Sequence, residues 1–248
     1  MLDKIEIYPY QRIIEPSARQ KARNKKVTIK SLARALKAGS PELAAAIKQV
    51  ATLENIAFAV IAVIMARGFV LGELLPFIFA CVAAFGYQEK QRAMLMACFA
   101  IPGFISAVNG FALGSNILAL CVLVGLITYI SIPRDKVWWG LPILTISAIF
   151  LSKTILLFIN GMTFYGEMVI VFEALIAGVL TFVFLVASDT LKQKKALVNF
   201  TFEDIAAFMV LGVGIIMGLN GISIAGLSIS SILCRLGILI AAFLWGSG

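Results

Sequence analysis

Eight apolar runs follow one another along this chain, at residues 53–71, 72–87, 93–109, 115–132, 138–159, 166–187, 204–219 and 227–246. Several approach the roughly 20 residues that a helix needs to cross a hydrocarbon core about 30 Å thick. Hydrophobic residues make up 61% of the 248 and charged ones only 14%, more apolar surface than a globule of this length can use for a core. The expected fold class is therefore all-α: a polytopic helical membrane protein, with eight transmembrane helices in the lipid bilayer if every run spans it.

Charge divides the chain in two. Residues 1–50 carry eleven Lys/Arg against four acids, which is seven of the eight net positive charges. We expect residues 1–52 to form a basic cytoplasmic head and residues 53–248 the transmembrane region. The opening "MLDKIEIYPYQRIIEPSARQKARNKK" has no apolar core of the kind a secretory signal needs, so the head is expected to stay attached. Within it Ile29, Leu32, Ala33 and Leu36 recur at helical spacing with Lys30, Arg34 and Lys37 opposite; Gly39 ends the turn, and Ser40-Pro41 restarts it as N-cap and first helical residue. This amphipathic helix has two readings: a membrane-surface helix that Lys30, Arg34 and Lys37 draw to anionic lipid, or a solvated tether or docking surface. The basic run "RQKARNKK" has no interleaved aromatics, which argues against a nucleic-acid partner.

The first two runs raise a question of count. Residues 55–87 are 33 apolar-dominated positions, about 50 Å of helix, too long for one comfortable span and short for two. Loop charge decides it, because Lys and Arg near span ends stay in the cytoplasm. Charged loops ("GYQEKQR", "IPRDK", "SDTLKQKKALVNFTFED") alternate strictly with uncharged or merely acidic ones ("NGFALGSN", "NGMTFYGE", "NGISIAGLS"). With a hairpin in residues 55–87 and the head inside, eighteen of the twenty-one Lys/Arg are cytoplasmic; a single span would put the head and the basic loops on opposite sides. Both termini are then cytoplasmic. "ARGFVLGELLPF" becomes the hairpin tip, with Arg67 and Glu73 snorkelling at the outer headgroup level and Gly68 and Gly72 permitting the reversal. Pro76 falls at the start of the second arm, where its missing N–H costs nothing.

Several kinds of chemistry are excluded. The chain has no histidine, so His-based triads, HExxH zinc hydrolysis and imidazole relays cannot operate. Cys81, Cys98, Cys121 and Cys234 all lie within apolar runs and form no C-x-x-C pair, so they read as small lipid- or core-facing residues. No phosphate loop, paired-carboxylate site or nucleophile elbow occurs, and no catalytic, cofactor-binding or metal-binding residue is assigned. Glu203 and Asp204 read as acids matched to a helix N-terminus. "GIIMG" places Gly214 and Gly218 four apart, which allows close helix approach; packing within the chain is the first reading and self-association the second.

One pair of charges remains to be explained. Lys153 and Glu173 are each ten positions from Thr163, in the middle of the loop joining the fifth and sixth runs. In an antiparallel hairpin they reach equal depth, about 10 Å inside the boundary, where an unpaired charge is expensive. They are expected to form a structural ion pair that sets the hairpin register; the competing reading has Lys153 snorkelling and Glu173 protonated or bonded to another helix.

The hairpin "ARGFVLGELLPF" and the stretch "VFEALIAGVLTFVFLVASDTLKQKKALVNFTFEDIAAFMVLGVGIIMGLNG" at residues 171–221, with the span order and loop charges, resemble the N-terminal membrane region of the stage II sporulation protein E family. The resemblance covers residues 50–248. It implies a protein whose membrane region precedes a cytoplasmic regulatory region and a metal-dependent PP2C-type serine phosphatase domain. In that family the phosphatase acts on an anti-anti-sigma factor to release the forespore sigma factor, and the protein assembles at the polar septum with the tubulin-like division protein and other septal proteins. This chain ends at "WGSG" and holds none of the phosphatase's metal-binding aspartates, so no catalytic residue carries over and a truncated or partial member is expected. Manganese or magnesium is expected only for the missing domain.

The function expected is thus a membrane-anchoring and assembly region with no enzymatic activity of its own. The alternative is a small multi-span transporter or channel subunit. That would need convergent polar groups near the midplane, and only Lys153, Glu173 and Arg235 are charged within the runs.

Overall fold

A computed structural model describes residues 53–87, 89–130, 132–193, 200–224 and 227–245. The basic head, with Lys30, Arg34 and Lys37, lies outside the described residues.

Among the described residues the chain is helical: α1 (Leu53–Met65), α2 (Pro76–Gly86), α3 (Lys90–Ala107), α4 (Phe111–Tyr129), a 3-10 turn (Arg134–Lys136), α5 (Val137–Asn160), α6 (Phe164–Gln193), α7 (Phe202–Gly218) and α8 (Ile229–Trp245). The exception is a two-stranded antiparallel ribbon in the "NGISIAGLS" loop, Ser223–Ile224 (β1) with Leu227–Ser228 (β2). Three helices, α4, α5 and α6, are long and apolar enough to cross a membrane. Their outer faces carry large apolar side chains, with Phe158 71% and Val179 66% exposed. Such surface is a liability in water and is natural against lipid.

The first two runs do form a hairpin, but its arms are short. Helix α2 has 11 residues, about 16 Å and half of a hydrocarbon core. All of them are buried, from Pro76 at the first helical position to Gly86. Helix α2 packs against α1, α3, α4, α5 and α6, and so is the hub of the bundle rather than a lipid-facing span. Phe79 of α2, Phe104 of α3 and Phe184 of α6 are fully buried around it.

Helix ends also depart from the hydropathy boundaries. "NGFALGSN" is not all loop: Gly110 takes a positive φ of 61° and α4 starts at Phe111, which draws Ser115 and Asn116 into the helix as buried residues. At 30 residues, about 45 Å, α6 runs on through Ser188 to Gln193 beyond the apolar segment. There Thr190 donates to Asp204 of α7. Asp204 also closes a capping box with Thr201, accepting from its N–H at 3.0 Å while its own N–H donates to the Thr201 hydroxyl at 3.3 Å. Helix-terminal acid is therefore only part of what Asp204 does.

The two loop classes gather at opposite ends of the bundle. At one end Tyr87 donates to the Ile132 carbonyl at 2.8 Å, Lys90 donates to the Thr128 carbonyl, and Arg92 reaches Glu89 at 3.1 Å and Glu54 at 3.6 Å while covering the Phe58 ring at 4.4 Å. At the other, residues 66–75 meet the α3–α4, α5–α6 and α7–β1 connections around two cavities.

Candidate functional site: an ion pair at the floor of an end cavity

Helices α5 and α6 form an antiparallel pair joined at residues 161–163, and their facing positions are small or polar where the helices come closest. Gly178 of α6 leaves room for Ile146 of α5, whose Cδ1 would lie 2.5 Å from an added Cβ. The Thr181 hydroxyl lies 3.4 Å from that of Thr145 and donates to the Ala177 carbonyl at 2.7 Å. Seven residues before the end of α5, about 10 Å along the helix, Lys153 meets Glu173.

The Lys153 Nζ stands 2.7 Å from Oε1 and 2.6 Å from Oε2 of Glu173, and 2.7 Å from Oδ1 of Asn116 in α4. An ammonium has three protons, so the set of acceptors is complete. Asn116 is held in turn, its Nδ2 donating to the Ala112 carbonyl at 2.8 Å. The Phe79 ring of α2 faces the charge with its centroid 5.5 Å from Nζ. Four helices thus converge on one ammonium, and Lys153 and Glu173 are only 7% and 3% exposed. Taking both charges out of water costs several kcal/mol per ion, a cost offset only by close geometry and full hydrogen bonding, which this cluster has.

Counting residues from Thr163 brings Lys153 and Glu173 to one depth but carries no information about Asn116 or Phe79. The Gly/Ser/Asn neighbours of Asn116 read as a loop; the usable signal is an amide carried at the edge of an apolar run, where a polar side chain needs an internal partner.

At the hairpin tip the structure separates the residues grouped there. Val70 and Leu74 pair as an isolated bridge, and the reversal falls on Leu71 and Gly72, with φ of 54° and 84°. Gly72 serves the reversal, since glycine adopts positive φ without penalty. Gly68 does not: its φ is ordinary, and a Cβ there would come within 3.0 Å of the Phe77 ring and 3.4 Å of the Gly214 carbonyl. Its smallness lets the tip lie against α7. Glu73 accepts a hydrogen bond from the Tyr165 hydroxyl at 2.8 Å, tying the tip to the first turn of α6. Arg67 turns to a separate cavity of about 470 Å³, shared with Asn220 and Gly221.

Gly214 and Gly218 pack within the chain. A Cβ on Gly214 would lie 2.9 Å from Phe77 and 3.0 Å from the Met65 sulfur, and one on Gly218 would overlap the Ile64 carbonyl. Arg235 is exposed on α8.

The second cavity, about 440 Å³, is lined by Glu73 and Gly166 near the loops and by Ser115, Asn116, Lys153 and Glu173 at its floor. The ion pair is therefore reachable from the uncharged-loop end. Among the described residues no group of three or more His, Cys, Asp or Glu could hold a metal ion. The cluster contains no nucleophile with an adjacent base; it can hold helices in register and present carboxylates to the cavity.

The family model described as "SpoIIE, N-terminal domain" matches residues 14–248. The match reaches into the basic head, which the resemblance of spans and loops had left out. Stage II sporulation protein E of Bacillus subtilis (strain 168) is similar, 26% identical over 194 residues that make up 77% of this chain and 23% of that protein. The chain thus spans less than a quarter of the length of that curated relative. No solved structure matches. On the strength of a match over nearly its whole length, the chain belongs to the SpoIIE N-terminal domain family.

Proposed function

We propose that this chain is the membrane-anchoring and assembly region of a stage II sporulation protein E-like protein. The observation that carries the reading is the family match over residues 14–248, an N-terminal domain that by itself carries no phosphatase domain. In this reading the eight helices α1 to α8 are arranged as eight passes, the short α1 and α2 forming a hairpin at the outer face, with both termini cytoplasmic and the basic head against anionic lipid. The segregation of charged loops to one end of the bundle supports that orientation. The role of the anchor is to hold a cytoplasmic serine phosphatase, with its manganese or magnesium, at the polar septum, where it governs forespore sigma factor activation. Partners are the bilayer, copies of itself, the tubulin-like division protein and septal proteins.

The topology is tested by single cysteines at positions 160 and 193 in an otherwise cysteine-free chain. A membrane-impermeant thiol reagent should label position 160, and not 193, from outside intact cells. The anchor role is tested by fusing the chain to a fluorescent protein in a sporulating cell: signal at the polar septum supports it, and uniform membrane signal refutes septal assembly. A small transporter is the second reading, favoured by the cavity that reaches Lys153 and Glu173. Solute flux in proteoliposomes would replace the first reading with the second.

A further inference from the structure

The cavity above the ion pair is one-sided in its chemistry. Its charged donor is already committed, the three protons of Lys153 going to Glu173 and Asn116; one Asn116 amide proton goes to the Ala112 carbonyl and the Ser115 hydroxyl to the same carbonyl at 2.9 Å, which leaves the second amide proton as a neutral donor. Its acceptors are not exhausted, since each carboxylate oxygen and the Ser115 oxygen keep further lone pairs. Two carboxylates, Glu73 and Glu173, stand against one ammonium, and Phe69 and Phe111 add aromatic surface to the wall.

An anion entering this space would have to take Lys153 from Glu173 while facing two negative groups. A cation meets the Lys153 ammonium as well, but two carboxylates outweigh that one charge, and neutral acceptors and ring faces complete its surroundings without any bond having to break. At about 440 Å³ the volume lies within the range of small-molecule sites, and apolar side chains such as Leu157 and Val169 complete the wall. We infer that this cavity binds an organic ammonium compound, its charged nitrogen directed to Glu173 and Glu73 and its apolar body against Phe69, Phe111 and Val169. The same chemistry is offered by a free amine and by the aminoethyl headgroup of a membrane lipid.

This inference stands on the cavity and not on the anchoring role. Loss of septal localisation would leave it untouched, and failure to bind an amine would leave the anchor reading untouched.

The test uses the full chain purified in detergent, with phenethylammonium chloride as the cationic probe and sodium hexanoate as the anionic one at equal ionic strength. Titration calorimetry and the thermal unfolding midpoint should show saturable binding of phenethylammonium and none of hexanoate. Glu73→Gln, at an exposed position, should weaken binding about threefold, as expected for a partly screened charge. Val169→Trp fills the cavity while leaving Lys153, Glu173 and Asn116 unchanged in identity, and should abolish binding while the unliganded protein keeps its cooperative transition. Should the tryptophan variant fail to fold, Glu73→Gln alone still decides. Native mass spectrometry of protein taken from nanodiscs of phosphatidylethanolamine or phosphatidylglycerol separates the sources. Retained phosphatidylethanolamine that phenethylammonium displaces identifies the lipid; phenethylammonium binding with none retained identifies a free amine. Absence of saturable phenethylammonium binding, equal or tighter binding of hexanoate, or an affinity that Glu73→Gln leaves unchanged would overturn the proposal.

Discussion

Gly218 of α7 lies so close to Ile64 of α1 that a Cβ on the glycine would overlap the Ile64 carbonyl. One residue earlier on α1, the Val63 carbonyl stands 2.5 Å from where a Cβ on Gly103 of α3 would sit. Helix α1 is thus gripped on two sides through its own backbone, at glycines that leave no space for a methyl group.

Gly218→Ala should therefore destabilise the protein by about 1–3 kcal/mol, the cost of overpacking a tight contact. Gly212→Ala, nearly two turns away on α7 with nothing within 4 Å of the added Cβ, is the control. It should be neutral or stabilise slightly, since alanine is preferred to glycine in a helix interior by roughly 0.5–1 kcal/mol. Thermal unfolding in detergent compares the two.

Asp204 joins a helix cap to an interhelical bond, so its loss should exceed that of either function alone. Thr201→Ala removes the cap hydroxyl and should cost about 1 kcal/mol. Asp204→Ala removes the acceptor for both the Thr201 N–H and the Thr190 hydroxyl, and should cost more than Thr201→Ala in the same unfolding measurement.

Arg92 offers a contrast between charge and packing. Its acidic partners are largely exposed, with the Glu54 and Glu89 side chains at 76% and 57%, while its own side chain is 11% exposed and covers Phe58. Glu54→Gln should change stability by less than about 0.5 kcal/mol. Arg92→Ala should cost about 1–2 kcal/mol through the lost stem packing and cation–π contact. The loss should change little between low and high salt.

What could be read from the residues, and what could not, follows from what hydropathy measures. Loop charge and apolar length located the reversal in residues 66–75, and counting from Thr163 brought Lys153 and Glu173 to one level, because both arguments concern depth. Depth does not say where a helix stops. Helix α6 continues through Ser188 to Gln193 because those residues still hydrogen-bond as helix and Thr190 finds Asp204, although the segment is no longer apolar. Nor does hydropathy tell lipid from protein as surroundings. Helix α2 is as apolar as α4, α5 or α6, yet five other helices cover it, and its 11 residues are too few to cross a hydrocarbon core. Asn116 was hidden for a related reason: its neighbours read as a turn, and only the register of α4 brings its amide oxygen to Lys153.

The central claim is that Lys153 and Glu173 form one buried pair holding α5 and α6 in register. A charge-swap cycle tests it most directly, with thermal unfolding in detergent and accumulation in the membrane as readouts. Lys153→Glu and Glu173→Lys each leave like charges buried together, and each should cost about 3–5 kcal/mol. The double variant restores opposite charges at the same separation and should recover more than half of the combined loss. It should not recover all of it, because Asn116 is placed to accept from an ammonium on α5. Losses that simply add in the double variant would contradict the claim, since two residues that do not meet cannot rescue one another.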